Sequence, residues 1–134
     1  MNVERQKRTG YITYITYITS ITGNAMPTAY LRKGCPFSFK FLLFVSEAGL
    51  RDLFDIVIVD PESARMKEVK EKLERGTGKK VTFPTVEIEP NVYKSDSDAL
   101  IAHYSEQHRV DANSLPALSF YKDSILPQLE ELHS

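Results

Sequence analysis

A chain of 134 residues with 42% hydrophobic and 26% charged residues has the size and composition of one folded domain with a core of its own. Its 17 basic and 18 acidic residues nearly cancel to a net charge of −1, which leaves no electrostatic footprint for nucleic acid or an anionic membrane. A single cysteine excludes an internal disulfide and a cysteine-built zinc site, and fits a reducing, cytoplasmic setting.

No apolar run approaches the roughly 18 residues of a membrane helix. Arg5, Lys7 and Arg8 lead into no continuous apolar stretch of the signal-peptide kind. Residues 1–25 differ from the rest. Tyr11-Ile12-Thr13 repeats at Tyr14 and Tyr17 and then degrades. A period of three suits neither strand nor helix. The reading is a non-core extension, with Met26 standing where an internal start would be. An added edge strand is the functional alternative, and the charge-free β-prone repeat is an aggregation hazard.

From Pro27 the pattern is regular. Thr28–Leu31 reads as a short strand and 37–48 as a helix, with Phe37, Phe41, Leu42, Phe44, Val45 and Ala48 apolar and Gly49 its C-terminal stop. Ile56-Val57-Ile58-Val59 is a continuous β-branched run, expected to be a buried parallel strand. Asp60-Pro61-Glu62 reads as N-cap, first-turn proline and first-turn acid of a surface helix. That helix runs to about Arg75, carries the stripe Met66, Val69 and Leu73, and is ended by Gly76 and Gly78. Val86 and Ile88 alternate with Glu87 and Glu89 after Pro84, so a strand starts at Pro84 and forms a hairpin over 84–93 through Pro90-Asn91. Ser95 and Asp98 have capping-box spacing ahead of a helix that buries Leu100, Ile101 and Tyr104. Residues 110–114 form a linker. Leu118, Tyr121, Ile125, Leu129 and Leu132 then keep helical spacing to the end, with a kink or break expected at Pro127. The order β-α-β-α-β-β-α plus a terminal helix predicts an α/β fold, a mixed four-stranded sheet flanked by helices.

Gly34-Cys35-Pro36-Phe37-Ser38 joins the first strand to the first helix. The first N–H groups of a helix lack internal partners and carry the positive end of its dipole. A thiol placed there is favoured as the reactive thiolate, with Arg32 and Lys33 close by in sequence. The bland alternative is a buried, inert cysteine. His103, His108 and His133 show no metal-ligand spacing, so no metal site is expected.

The strand order, Cys35-Pro36-Phe37-Ser38 and the loop Thr82-Phe83-Pro84-Thr85 together resemble the thioredoxin-like fold, specifically glutaredoxins and the N-terminal domain of glutathione S-transferases. Asp96-Ser97 followed by Ala99-Leu100 resembles the Glu-Ser-x-Ala-Ile helix start of the transferases. The resemblance covers about residues 27–108, inside a glutathione-binding unit of 26–109 that is followed by a linker and helix over 110–134. It implies glutathione as cofactor and Cys35 as the catalytic thiol. It places Pro36, Phe37 and Ser38 around that thiol, and gives the Phe83 backbone, presented by a cis Pro84, the cysteinyl part of glutathione. Asp96 and Ser97 would hold the γ-glutamyl end, as helix N-termini hold carboxylates. A trans Pro84 at a strand start and a purely capping Ser97 are the structural alternatives. Lys79-Lys80 reads as a solvated loop, or as help for the glycyl carboxylate.

Ser38 stands where dithiol glutaredoxins carry a second cysteine, so the implied chemistry is monothiol exchange or deglutathionylation, acting on a glutathionylated thiol. Asp96 is shorter than the family's Glu, and most of the transferase helical domain has no counterpart. Two rival functions remain. One is a non-catalytic interaction module of the glutathione-binding fold. The other is a minimal transferase acting on a small electrophile, its site completed in a homodimer.

Overall fold

The computed structural model describes residues 26–132. The expected N-terminal extension and His133 lie outside the described residues. The elements are β1 (Thr28–Arg32), α1 (Pro36–Glu47), β2 (Asp55–Val59), α2 (Ala64–Thr77), β3 (Thr85–Glu89), β4 (Val92–Ser95) and α3 (Ser97–His108). A terminal helical run follows: α4 (Pro116–Phe120), a π turn (Tyr121–Ile125) and α5 (Leu126–Leu132). The sheet order is β2-β1-β3-β4, with β1 parallel to β2 and antiparallel to β3, and β3 antiparallel to β4. The expected mixed four-stranded sheet flanked by helices is therefore present.

Alternation along β1 divides the core between two faces. Ala29 and Leu31 join Phe41, Phe44 and Val45 of α1, Leu100, Ile101 and Tyr104 of α3, and Leu118 of α4. Tyr30 turns to the other face and packs with Val59 and the α2 stripe Met66, Val69 and Leu73. The apolar stripes read from helical periodicity in α2 and α3 are thus the buried ones.

Four local expectations are corrected. β2 is parallel as expected but lies at the sheet edge among the described residues, and Ile58 is 53% exposed. A β-branched run shows strand preference, but it does not say which neighbours cover the strand. Asp60-Pro61 does not open α2. Asp60 forms a turn, its carboxylate accepting from Glu62 N and its carbonyl from the Ser63 hydroxyl, and Ser63 takes the N-cap position. Ser95 ends β4, so Asp96 rather than Ser95 caps α3, its Oδ1 accepting from Asp98 N at 3.0 Å. α2 ends at Gly78, which adopts φ +70, whereas Gly76 lies within the helix. A Cβ at Gly76 would come within 2.3 Å of the Tyr93 ring, so its role there is close approach.

The terminal run carries the largest departure. Pro127 cannot donate a backbone hydrogen bond, yet it neither ends the helix nor is left as an isolated kink. The turn just before it widens to π, and Leu126 N–H reaches back five residues to Tyr121 C=O. One residue is added to that turn, so the inward position passes from Ile125 to Leu126. Ile125 is 39% exposed and Leu126 only 5%.

Candidate functional site

β1 ends in a tight turn at Gly34, whose φ of +80 suits a residue without a Cβ. Cys35 N–H donates to Arg32 C=O and Lys33 N–H to Val59 C=O, which fixes the turn against β1 and β2. Cys35 is the N-cap of α1 and Pro36 stands in its first turn. The Cys35 Sγ accepts from Ser38 N–H at 3.4 Å, which places the sulfur on an orphan donor of the helix N-terminus. The same sulfur lies 3.8 Å from the carbonyl oxygen of Phe83, 48 residues further along the chain. The thiol is half-buried. The Phe83–Pro84 peptide is cis.

The loop facing Cys35 is tied to the start of α3. The Thr85 hydroxyl donates to Thr82 C=O at 2.6 Å and shares a 2.6 Å hydrogen bond with Ser95 Oγ, next to Asp96. Asp96 adopts φ +82 and ψ 112, a conformation uncommon outside glycine and often found where function demands it. Its carboxyl is exposed, while Ser97 is 5% exposed. α1 and α3 are joined below this point: Lys40, 5% exposed, holds the Asp98 carboxylate at 2.7 Å.

The residues singled out from sequence thus occupy distinct positions. Cys35, Pro36 and Ser38 line an apolar cavity of about 450 Å³, together with Ile58, Phe39, Tyr121 and Leu129. Ser38 is 3% exposed, and its hydroxyl accepts from Arg32 N–H at 3.0 Å, which bolts α1 to β1. Phe37 turns outward, 37% exposed, with the Lys40 ammonium 5.7 Å from its ring centre. Pro84 is buried beside Thr85. Asp96 lines a second, more polar cavity of about 540 Å³ with Thr82, Lys79, Lys80 and Tyr93. The Phe83 carbonyl reaches Cys35 from the loop that also edges this polar cavity.

Two residues gave no functional signal in the sequence. Tyr121 donates its hydroxyl to Pro36 C=O at 2.6 Å and packs edge-on against Phe39, ring centres 4.9 Å apart. Burial first, then the negative charges that Cys35 and Glu130 can carry, push its phenol above the ordinary value, so it stays a hydrogen-bond donor. Glu47, at the last residue of α1, accepts from Ala117 N–H and Leu118 N–H at 2.8 Å each, capping α4 from 70 residues away. Helical spacing marked Tyr121 as an inward position, but nothing in the local sequence names its partner.

Compared with known protein families, curated proteins and solved structures, the chain matches none.

Proposed function

We propose that this chain is a thioredoxin-like, glutathione-binding protein, similar to glutaredoxins and the N-terminal domain of glutathione S-transferases, that carries out monothiol exchange through Cys35. The observation that carries this reading is the Cys35 sulfur held between Ser38 N–H of a helix N-terminus and the Phe83 carbonyl before cis Pro84. The helix N-terminus aims an orphan N–H at this sulfur, and the thiolate is the species that attacks a disulfide.

In the first step the Cys35 thiolate attacks the glutathione sulfur of a mixed disulfide R–S–S–G. A disulfide bond forms between Cys35 and the glutathione sulfur, the S–S bond of R–S–S–G breaks, and R–S⁻ leaves to take a proton from water. A second glutathione thiolate then attacks Cys35–S–S–G, which releases glutathione disulfide and restores the Cys35 thiolate. Glutathione itself supplies the two reducing electrons, so no second cysteine is needed. The cysteinyl backbone of glutathione would pair with Phe83, while its γ-glutamyl end would lie at Asp96 and Ser97. The α3 N-terminus favours the carboxylate and Asp96 the ammonium. The polar cavity edged by Lys79 and Lys80 suits the glycyl carboxylate.

Calorimetric titration with glutathione and turnover of a glutathione–small-thiol mixed disulfide test this function. Cys35→Ser is expected to abolish turnover, leaving weak glutathione binding. Unchanged turnover, or no glutathione binding by the native chain, refutes it. A second reading is favoured by the apolar cavity beside Cys35: conjugation of a small electrophile. Turnover of a small aryl halide, measured with the oligomeric mass, distinguishes it.

A further inference from the structure

Among the described residues the sheet has two edges, β4 and β2, and they are built differently. β4 is four residues long, carries Lys94, and meets β3 with a register shift between Glu87 and Glu89. A short strand, a lysine and an irregular pairing all discourage a further strand. β2 pairs with β1 in unbroken register, and Ile56-Val57-Ile58-Val59 carries no charge and no proline. Its ladder also shows where its backbone groups point. Asp55 N–H donates to Pro27 C=O, and Val59 C=O accepts from Lys33 N–H, so the first and last residues of β2 bond toward β1. Backbone groups alternate in direction along a strand, so Ile56 and Ile58 aim theirs at the free edge.

The route of the chain into the sheet limits what covers this edge. Thr28 of β1 is level with Asp55 of β2, so the residues before Met26 arrive at the beginning of β2. Residues 11–22 are the Tyr-Ile-Thr repeat and its degraded end, free of charge and proline and rich in strand-favouring residues. The place beyond β2 is two strand spacings from β1, about 10 Å. The chain from Thr22 to Thr28 spans up to about 20 Å, enough to step past the end of β2. A parallel strand there would need a crossover of about a dozen residues, and only residues 23–27 are available. An antiparallel strand needs no crossover.

We propose that residues 18–22 add to the free edge of β2 as an antiparallel strand, pairing with the outward N–H and C=O groups of Ile56 and Ile58. The tether 23–27 sets the register, because a repeat of period three presents no consistent apolar face. The same tether holds the segment at an effective concentration of order millimolar, which favours this chain's own segment over a second copy. One pairing then withdraws two aggregation-prone features, the open edge and the charge-free repeat. The chemistry at Cys35 plays no part in it.

Hydrogen exchange at single amides of the full chain, followed by NMR at two protein concentrations, reads this edge. Val57 and Val59 face β1 and serve as controls. In the native chain Ile56 and Ile58 are expected to exchange at least about a hundredfold more slowly than free peptide, equally at both concentrations. Thr19→Pro combined with Ser20→Pro changes adjacent positions, so one of the two lost N–H groups faces β2 in either register. That variant is expected to lose about tenfold or more of the Ile56 and Ile58 protection, with Val57 and Val59 within about threefold. Ile58→Pro removes an outward N–H while leaving the bonds to β1, and is expected to free the amides of residues 18–22.

Free exchange at Ile56 and Ile58 in the native chain overturns the proposal. So does protection that survives Thr19→Pro with Ser20→Pro. A fall at all four β2 amides marks loosening of β2 itself and also counts against it. Protection that rises with concentration, together with a dimer mass, gives the edge to a second copy and overturns the assignment to residues 18–22.

Discussion

Glu47→Ala tests whether the terminal run is an integral part of the fold. The half-buried Glu47 carboxylate accepts two hydrogen bonds at 2.8 Å from the first free N–H groups of α4. It therefore does for this helix, across the fold, what an N-cap residue does locally. Loss of a cap costs about 1 kcal/mol, and hydrogen bonds to a charged group contribute about 1.5–3 kcal/mol. Partial exposure lowers the upper figure, so the expected loss is about 2 kcal/mol. For a domain of this size that lowers Tm by about 6–10 °C. Glu47→Gln keeps an acceptor but loses the charge, and about half the effect is expected. Thermal unfolding followed by circular dichroism gives the global figure. Hydrogen exchange at the Ala117 and Leu118 amides gives the local one, since a terminal helix can open without the rest. Unchanged Tm together with unchanged protection of those two amides in Glu47→Ala would refute the capping argument.

Three further outcomes follow from Tyr104 and His108 on α3. The Tyr104 hydroxyl is buried without a hydrogen-bond partner among the described residues, so Tyr104→Phe is expected to gain about 1 kcal/mol, read as a higher Tm at neutral pH. Burial also raises the Tyr104 phenol from 10.0 to about 12, so its neutral form stabilises the fold fully below pH 10 and that contribution is lost as pH rises toward 12; Tyr104→Phe should flatten this alkaline fall, and an identical slope in both proteins would reject the assignment. His108 is stacked on Tyr104 and lowered from 6.5, by burial first and by His103 second, so the unfolded chain binds its proton more readily. Stability from neutral His108 is present above pH 6.5 and is lost as pH falls toward its native value; Tm against pH in His108→Gln should lack that acid step, and its persistence would place the titrating group elsewhere.

How much of this was legible in the sequence follows the range of each interaction. The α2 stripe Met66, Val69 and Leu73 and the α3 stripe Leu100, Ile101 and Tyr104 are periodic, and all six are buried. Cys35 at a helix start was readable because strand, glycine and proline fall within a few residues. The edge position of β2 was not readable, because exposure of Ile58 depends on which strand pairs beyond it, and none does among the described residues. Asp60 competed with Ser63 for the same cap, and local turn chemistry at Asp60 decided it. Asp96 was singled out through a resemblance; its positive φ needed backbone coordinates. The partners of Tyr121 and Glu47 lie 85 and 70 residues away, beyond any local pattern.

These two long-range contacts also explain the π turn. They grip α1 at opposite ends, Glu47 at its last residue and Pro36 at its first. Twelve residues of helix separate those ends by about 16 Å. Ala117 and Tyr121 are only four residues apart, about 6 Å along a helix, so the Glu47 and Tyr121 side chains span the remainder. Their simultaneous bonds therefore fix the axial position of α4 and leave little freedom to slide. With that position set, a regular helix would carry Ile125 inward and place Pro127 where its missing N–H breaks the ladder. Widening the turn right after Tyr121 gives Leu126 the inward place, and Leu129, three residues on, reaches the cavity beside Cys35. The run is fastened to both ends of α1 through Ala117, Leu118 and Tyr121, and the irregular turn is what carries the residues after it to the site.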